Sequence, residues 1–453
     1  TDGLSNITHF NVTTTNVKPT TWKDVTTEGK NIEQSYTIHT LSETTYYVWV
    51  KDAAGNVSDS ASITAYSITA TNESDDYIAS VEIWYGEANI GTSVSVLHGA
   101  QIKLVAQLKP DGDYFKAKFT EWKKDGNQLT TETEYTIDSV EARGEYKAYA
   151  EMDTANYTVK HWQQKTNLGT DKNDTNYDCV DTETTPTGTI GDDTEAIAKT
   201  TYTGFTAQLF TQEQIKADGT TVVNIYYNRD SYRISLVENA GTENLTVNDE
   251  TNNNTLNTLS DDDGNYVMGY YGVQYSYLAN AKTGYESVSY TITDNIGNPF
   301  IMPNKALIIT SSATAKNLEL NFTKNKYEFT YNPTAPHTIT FTVENGTGSY
   351  TYSINTITGF TISGTTITIA AGTNAKEEGY SLKVTVTDNN SGASTFKDIT
   401  VEIAKATPTV NNLTFTGEYG KTWSQILNTA KDGKTNGTYL GDTVAGDFVY
   451  TDL

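Results

Sequence analysis

Apolar and polar residues alternate with a period of two in short runs along the whole chain, and this alternation constrains the fold more than any other feature. A period of two places successive side chains on opposite faces of a β-strand. Turn residues such as Asp125-Gly126-Asn127 bound the runs, which predicts short strands joined by tight turns. The clearest runs are Tyr46–Val50, Gln101–Ala106, Val222–Tyr227, Thr338–Val343 and Leu382–Val386.

Helical spacing of apolar residues is found in two short stretches, Gln212–Lys216 and Trp423–Lys431. The chain has 453 residues, too many for one small sandwich, so we expect modules in tandem. Short polar seams with little glycine separate the alternating regions and predict a stiff chain of modules. The modules predicted from these seams are 1–71, 72–153, 154–230, 231–325, 326–405 and 406–453.

The charge balance argues against two classes of partner. Lys and Arg total 31 and Asp and Glu total 56, which gives a net charge of −25. Nucleic acids and anionic membrane surfaces recruit clustered basic residues, so we expect neither as a partner. No apolar run reaches the roughly 18 residues of a spanning helix, which predicts no membrane insertion in this segment. The single cysteine, Cys179, precludes an intrachain disulfide.

Residues 72–153 carry the pattern of an immunoglobulin sandwich. Trp122 is followed by a turn, and Tyr146 lies two residues before Ala148. Ala106 and Ala148 stand where antibody domains have their two cysteines. The segment therefore resembles an immunoglobulin-like (Ig-like) domain without its disulfide. In residues 1–71, the hairpin from Tyr47 to Ile68 resembles the last hairpin of bacterial Ig-like repeats.

Residues 154–230 contain three motifs in a characteristic order: Tyr157–Trp162, Tyr202–Thr206 and Asp218–Tyr227. Together they resemble the mucin-binding-protein (MucBP-type) repeat of Gram-positive surface proteins, a small β-grasp-like module. Some members of that family bind mucin glycans, which implies Trp162, Tyr202 and Phe205 as residues that stack on sugar rings. The alternative is that all three aromatic residues belong to the core.

The remaining modules have weaker motifs. Residues 231–325, with Thr283-Gly284-Tyr285 and Phe300–Asn304, resemble a divergent internalin-type B repeat. Residues 326–405, with Tyr380–Asp388, resemble a cadherin-like, Ig-related surface module. Residues 406–453 resemble a truncated Ig-like repeat through Glu418–Trp423 and Gly446–Asp452, which implies that the native polypeptide continues beyond Leu453. The fold class is thus predicted to be all-β, with mostly Ig-like sandwiches and a β-grasp-like pair in the middle.

Residues with catalytic spacing are not evident. Cys179 and His161 lie in the same module, but neighbouring carboxylates would keep the thiol protonated. The turns at Asp388 and at Asp261–Gly264 are the candidates for calcium, with hairpin turns as the alternative. We therefore expect no enzyme, no catalytic or metal-binding residues and no cofactor, with calcium as the open alternative.

The resemblances agree on one function, a segment of a large bacterial cell-surface stalk or adhesin that acts as a spacer and presents binding surfaces. They imply an extracellular location on the bacterial surface. The alternatives are a carbohydrate- or mucin-binding module, a subunit of a surface layer or filament, and an accessory region of a surface enzyme. The partners implied are host or environmental glycans, mucin, or neighbouring subunits.

Overall fold

The computed structural model describes residues 5–38, 41–409, 416–431 and 436–445. These residues form strands arranged in several small sheets, one α-helix and one short 3₁₀ turn. The prediction of an all-β protein built from tandem modules is confirmed. Contacts divide the chain into two compact units, Thr1–Asn228 and Arg229–Leu453.

The first part of unit one contains twelve strands in two sheets. The larger sheet has the order β10-β9-β12-β4-β3-β1-β2, with β7 also paired to β4, and the smaller has the order β11-β8-β5-β6. The strands are β1 Ile7–Thr13, β2 Lys23–Gly29, β3 Thr45–Asp52, β4 Ala61–Asn72, β5 Ile78–Tyr85, β6 Ala88–Gly91, β7 Ser93–Leu97, β8 Ile102–Leu108, β9 Ala117–Lys124, β10 Asn127–Thr130, β11 Glu134–Ile137 and β12 Gly144–Met152.

Strand β4 belongs to two modules at once. Its first residues, 61–64, pair with β3. Its later residues pair with β7 in antiparallel fashion and with β12 in parallel. The sequence places a module boundary after residue 71, whereas the sheets place residues 65–72 with the second module. Among the described residues of 1–64, β1–β3 extend this one sheet and no second sheet faces them.

The core of the second module contains the residues that suggested an immunoglobulin sandwich. Trp122 is fully buried, and its indole N–H donates to the Thr133 carbonyl at 3.1 Å. Ala148 pairs with Trp122 across β12 and β9, and Ala106 lies buried on β8 in the other sheet. Tyr146 is also buried. The small alanines thus meet the large indole where a disulfide would otherwise cross the core.

Residues 154–230 form a four-stranded sheet of order β15-β14-β18-β17 and a two-stranded sheet of β13 and β16. Its core combines buried residues of β14 and β18 with Ile190 and Ile215 from the connections. The strands are β13 Thr154–Asn156, β14 Thr158–Gln164, β15 Tyr177–Glu183, β16 Thr187–Thr189, β17 Phe205–Ala207 and β18 Val222–Arg229.

The second unit begins with a pair of sheets, of order β22-β23-β19-β27-β25 and β21-β20-β24-β26. A 3₁₀ turn, Thr293–Asn295, follows β25. The strands are β19 Ser231–Glu238, β20 Thr242–Asp249, β21 Asn254–Thr255, β22 Leu259–Asp261, β23 Gly264–Tyr270, β24 Gln274–Ala281, β25 Tyr285–Ile292, β26 Phe300–Ile301 and β27 Leu307–Ala315.

The next sandwich has sheets of order β28-β30-β33-β32 and β29-β35-β34-β31 around one apolar core. Its first strand, β28, precedes residue 326, where the sequence places the start of this module. The strands are β28 Glu319–Phe322, β29 Lys326–Thr330, β30 His337–Glu344, β31 Tyr350–Ile354, β32 Phe360–Ser363, β33 Thr366–Ile369, β34 Lys376–Asp388 and β35 Ser394–Ala404.

The last described residues contain α1, Trp423–Lys431, and the hairpin of β36, Asn436–Tyr439, and β37, Asp442–Ala445. Trp423–Lys431, one of the two stretches with helical spacing, forms a helix. The motif Gly446–Asp452 lies outside the described residues. Gln212–Lys216, the other stretch with helical spacing, does not form a helix. Ile215 there is buried and exchanges backbone hydrogen bonds with the loop at 191–192, which holds the segment extended. None of the helices in the described part is long and apolar enough to cross a bilayer.

One pairing recurs in four modules: a strand near the start of the module lies parallel to the strand that closes it. The pairs are β4 with β12, β14 with β18, β19 with β27, and β29 with β35. Parallel neighbours run in the same direction. The chain therefore enters each of these modules at one end of a sheet and leaves at the opposite end.

Strand β29 allows this pairing to be tested with two neighbouring proline substitutions. The N–H of Thr400 donates to the Asn325 carbonyl and that of Tyr331 to the Ala404 carbonyl. The backbone N–H and C=O groups of the odd-numbered residues of β29 thus face β35, and the backbone N–H of Glu328 faces away from it. Among the described strands β29 is an edge, where proline is tolerated if its N–H would face outward.

We predict that Tyr327→Pro destabilises the sandwich of residues 326–405 by about 1–3 kcal/mol, because the carbonyl of Thr400 loses its donor. Glu328→Pro should cost far less, and Tyr327→Leu controls for the lost ring. The measurement is urea unfolding of the full chain with pulsed hydrogen exchange read at residues 326–405. Equal destabilisation by the two proline variants would contradict the parallel register.

Candidate functional site

The sheet of residues 154–230 has an inner face and an outer face that carry different aromatic residues. Strands β14 and β18 are parallel, with Val159 opposite Val223 and Trp162 opposite Tyr226. Val159 and Val223 are buried in the module core. Because side chains alternate, Trp162 and Tyr226 stand on the outer face.

Trp162 and Tyr226 form a stacked pair on that face. Their ring centroids are 5.8 Å apart and their planes differ by 17°. The indole N–H of Trp162 donates to Asn224 Oδ1 at 2.9 Å, which fixes the orientation of the ring. Tyr177 packs edge-on against Tyr226 at 5.0 Å, and Lys172 Nζ lies 5.4 Å from the Tyr226 centroid. We call Trp162 and Tyr226 the outer aromatic pair and Asn224 its anchor.

The loop between β14 and β15 borders the outer aromatic pair and is held by amide side chains. Gln164 Nε2 donates to the Gly169 carbonyl at 3.0 Å, and Asn176 Nδ2 donates to the Asp171 carbonyl at 3.1 Å. A Cβ on Gly169 would lie 2.1 Å from Asn176 Oδ1, so the close approach of these two residues requires glycine. The loop is thus a packed border to the aromatic pair.

Tyr202 and Phe205 lie on the inner side of the sheet. Both pack against the buried core of the module. The Tyr202 ring is 5.0 Å from that of Tyr227 at an angle of 83°, and its hydroxyl is buried without a hydrogen-bond partner. Burial raises the pKa of Tyr202. The sheet separates these two residues from Trp162, so the three predicted residues do not share one binding surface.

The inner face also contains a buried histidine. His161 is fully buried, and its Nδ1 lies 2.8 Å from the Tyr227 hydroxyl, which accepts the backbone N–H of Lys199 at 2.7 Å. His161 Nε2 lies 3.4 Å from Glu183 Oε1, outside hydrogen-bond geometry. Burial, and then the charge of Lys199, lower the pKa of His161. The imidazole is therefore neutral at pH 7.

Lys199 closes the cluster over His161. Its ammonium contacts Asp181 and lies 2.8 Å from Glu183 Oε1. The hydrogen bonds that Lys199 donates to Asp181 and Glu183 raise the pKa of Lys199 and lower the pKa of both carboxyl groups. An ammonium held in this way is not a nucleophile. The cluster joins the connection after β16 to the sheet.

Cys179 does not take part in this cluster. Its thiol is exposed on β15 and contacts the Asp181 carbonyl and the Thr182 hydroxyl, each at 3.6 Å. His161 is directed into the core, where Tyr227 and Glu183 surround it. The structure therefore places no nucleophile–base pair here.

Sequence reasoning missed Tyr226 and Asn224. The signal was available: Trp162 on β14 and Tyr226 on β18 occupy equivalent positions of two alternating runs. This pattern could be interpreted only once the register of the two parallel strands was known. A shift of one residue would place Tyr227 opposite Trp162 instead of Tyr226.

Asp388, the candidate calcium ligand, is fully buried and occupied by hydrogen-bond donors. Thr347 donates its N–H to Oδ2 at 2.5 Å and its hydroxyl to Oδ1 at 2.6 Å. The N–H groups of Asn390 and Ser391 donate to Oδ1 at 2.9 and 3.1 Å. Burial opposes ionisation, but these bonds outweigh it and lower the pKa of Asp388 to about 2.

Asp52 and Asp249 hold turns in the same way. Asp52 accepts from Ser5 and from the N–H of Asn56, and the bonds from these residues lower its pKa to about 2. Asp249 accepts from the N–H groups of Thr251 and Asn252 at 2.9 and 3.0 Å. We call Asp52, Asp249 and Asp388 the turn aspartates.

The other calcium candidate, the turn at Asp261–Gly264, is engaged by an arginine. Arg233 binds the Asp261 carboxylate through both terminal nitrogens, with Nη2 to Oδ1 at 2.9 Å. In the described parts of the chain, no group of three or more His, Cys, Asp or Glu residues is arranged to hold a metal ion.

Comparisons with known proteins add little to this description. No family model matches the chain, and no curated protein matches it. Among solved structures, the N-terminal eight Ig domains of Down Syndrome Cell Adhesion Molecule align with 10% identity over 92% of this chain and 52% of that chain. This chain thus spans about half the length of that structure. The TM-score is 0.17, so the alignment carries no argument, and the fold class rests on the strands and sheets described above.

We predict that Asp388 stabilises its sandwich by roughly 2 kcal/mol at pH 7, because its pKa is about 2 in the folded chain and 3.8 ordinarily. A lowered carboxyl pKa stabilises above the ordinary value, and this stability is lost as pH falls from 3.8 through about 2. Asp388→Asn should abolish this part of the pH dependence.

The measurement is urea unfolding of the full chain, at pH 7 and at lower pH, with pulsed hydrogen exchange read at residues 326–405. Asp398→Asn is the matched control, since the carboxylate of Asp398 is exposed on strand β35 and does not hold a turn. We expect millimolar calcium chloride to leave the unfolding midpoint unchanged. A calcium-dependent rise that Asp388→Asn removes would contradict the turn role and support a metal site.

Proposed function

We propose that this chain is a non-enzymatic segment of a bacterial cell-surface stalk or adhesin, located outside the cell. Its work is to span distance, bear load and present binding surfaces. The observation that carries the proposal is the parallel pairing of opening and closing strands in four modules.

That pairing suits a load-bearing spacer. A pull on the two ends of such a module acts along both terminal strands, across the hydrogen bonds between them. The bonds of the ladder then share the load together, whereas a hairpin pulled from its open end loses its bonds one at a time. A chain that enters at one end of each module and leaves at the other also gains length with every module.

Contacts between neighbouring modules support short, restrained junctions. Within the first unit, the Ala217 N–H donates to the Asp113 carbonyl at 2.9 Å. Within the second unit, the Tyr285 hydroxyl donates to the Asn390 carbonyl at 3.2 Å. A Cβ on Gly284 would lie 2.9 Å from backbone atoms of the facing loop, which leaves no space for a larger residue. Such junctions favour a stiff spacer over a flexible tether.

The surface location is supported by the resemblances of the sequence to surface repeats and by the charge. A net charge of −25 keeps neighbouring copies apart and soluble. The same charge argues against nucleic-acid partners. The assignment of individual modules to MucBP-type and internalin-type repeats, and the Gram-positive source, belong to this proposal.

Negative-stain electron microscopy of the purified chain, with light scattering on the same sample, tests the stalk. We expect monomers that appear as rows of small globules. Compact particles would contradict the spacer function. Ordered fibres or sheets would replace it with the alternative of a surface-layer or filament subunit.

A second candidate function, carbohydrate binding, is favoured by the outer aromatic pair. Trp162 is partly exposed, is stacked on Tyr226, and is held by Asn224, so its ring is already oriented before a ligand arrives. Flat, oriented aromatic rings on a surface suit the apolar faces of sugars. Tyr202 and Phe205 contribute to the core in this arrangement.

We predict that, if the module binds mucin O-glycans, Trp162→Ala weakens binding at least about tenfold. Trp84→Ala, another partly exposed Trp, should leave the affinity unchanged, and so should Tyr202→Phe, which removes only a buried hydroxyl. The measurement is a mucin O-glycan array followed by titration of the best glycan with the full chain. Silence across the array, or equal losses in all three variants, would contradict glycan binding by this face.

A further inference from the structure

Strand β7 is an unguarded edge in the second module. Among the described strands it pairs with β4 alone. Its sequence, Ser93-Val94-Ser95-Val96-Leu97, has no charge and no proline. Natural edge strands are usually protected by lysine, proline, a bulge or a covering segment. The pairing of β7 with β4 is regular and shows no bulge.

The backbone groups that β7 offers can be assigned from its register. The His98 N–H donates to the Thr64 carbonyl, and the Ala70 N–H donates to the Thr92 carbonyl. Because backbone groups alternate sides along a strand, residues 92, 94, 96 and 98 face β4. Ser93 and Ser95 therefore direct their N–H and C=O groups away from the sheet, where the described residues supply no partner.

A groove of about 580 Å³ runs beside this edge. Leu41, Tyr85, Ile90 and β7 itself contribute to its lining, and none of the lining residues is charged. Tyr85 is 56% exposed and lines this groove with its ring. The groove thus combines free backbone hydrogen-bonding groups with an uncharged surface, in a chain whose net charge is −25.

We propose that β7 binds an extended peptide segment of another protein as an added strand. Ser93 and Ser95 would exchange backbone hydrogen bonds with the peptide, and every second peptide side chain would enter the groove. Small aliphatic side chains at those positions, without Asp or Glu, fit the lining. This inference goes beyond the stalk function, because it names a docking site and the chemistry of its partner.

The charge of the chain selects a peptide over a second copy of the chain. Two copies paired through β7 would bring two bodies of charge −25 together. A neutral or basic peptide meets no such repulsion. Five residues of β7 span roughly 17 Å, enough for a short linear segment.

The test uses a heptapeptide of alternating threonine and valine with a lysine at each end, capped and labelled with fluorescein. Fluorescence anisotropy with the full chain should give saturable binding. The same peptide with N-methyl groups on its central amides should not bind. Hydrogen exchange at residues 93–97 should slow when the unmodified peptide is added.

Ser95→Pro should weaken binding about tenfold or more, because it removes an outward N–H and adds a ring at the edge. Ser95→Thr is the matched control and should bind as the parent chain does. Tyr85→Ser, at an exposed wall of the groove, should also weaken binding without affecting the fold, which circular dichroism verifies.

Three results would overturn the proposal: no saturable binding of the peptide, binding that Ser95→Pro leaves unchanged, or a dimer of the parent chain that Ser95→Pro dissolves. The last result, read by analytical ultracentrifugation, would assign the edge to a second copy. None of these outcomes bears on the electron-microscopy test of the stalk.

Discussion

The parallel pairing of an opening strand with the closing strand is the constraint on which the rest of the architecture depends. In the four modules that show it, the opening strand has no complete ladder until the last strand arrives. Contacts between residues so distant in sequence are costly to form, since loop closure precedes the gain from pairing. Strand β4 adds a further coupling, because it pairs with β3 through its first residues and with β12 through its later ones, which joins two modules in one sheet.

The alternation of side chains determined which residues are buried, and there the sequence was informative. Trp122, Tyr146, Ala106 and Ala148 all lie in the core that their spacing suggested. Alternation does not specify which strands are neighbours or in which direction they run. The double role of β4 and the early start of a sandwich at β28 were therefore not predictable from the pattern. Gln212–Lys216 is extended despite its helical spacing, because five residues are too few to sustain a helix against the burial of Ile215 in the connection.

In the candidate site, too, the sequence indicated individual residues but not which of them are neighbours. Trp162 was one of the predicted ligand-binding residues, but its stacking partner Tyr226 lies 64 residues further along the sequence, and only the register reveals the pair. Tyr202 and Phe205 differ from Trp162 in the face of the sheet they occupy, which depends on connections that carry no clear periodicity. The buried His161 was equally hidden, since a single histidine in an alternating strand gives no indication of the Tyr227 and Lys199 that surround it.

The turn aspartates have a consequence for how these loops can change over evolutionary time. At Asp52, the carboxylate and backbone hold Asn56, while Ala53, Ala54 and Gly55 between them are exposed. The loop is thus held by the Asp52 carboxylate and by backbone groups, and the small side chains at its tip make none of these bonds. Substitutions of the exposed Ala53 and Ala54 side chains should therefore cost the strands little, whereas Gly55, with a φ of 88°, favours glycine. The same arrangement makes this hairpin a suitable position for grafting a foreign epitope for display.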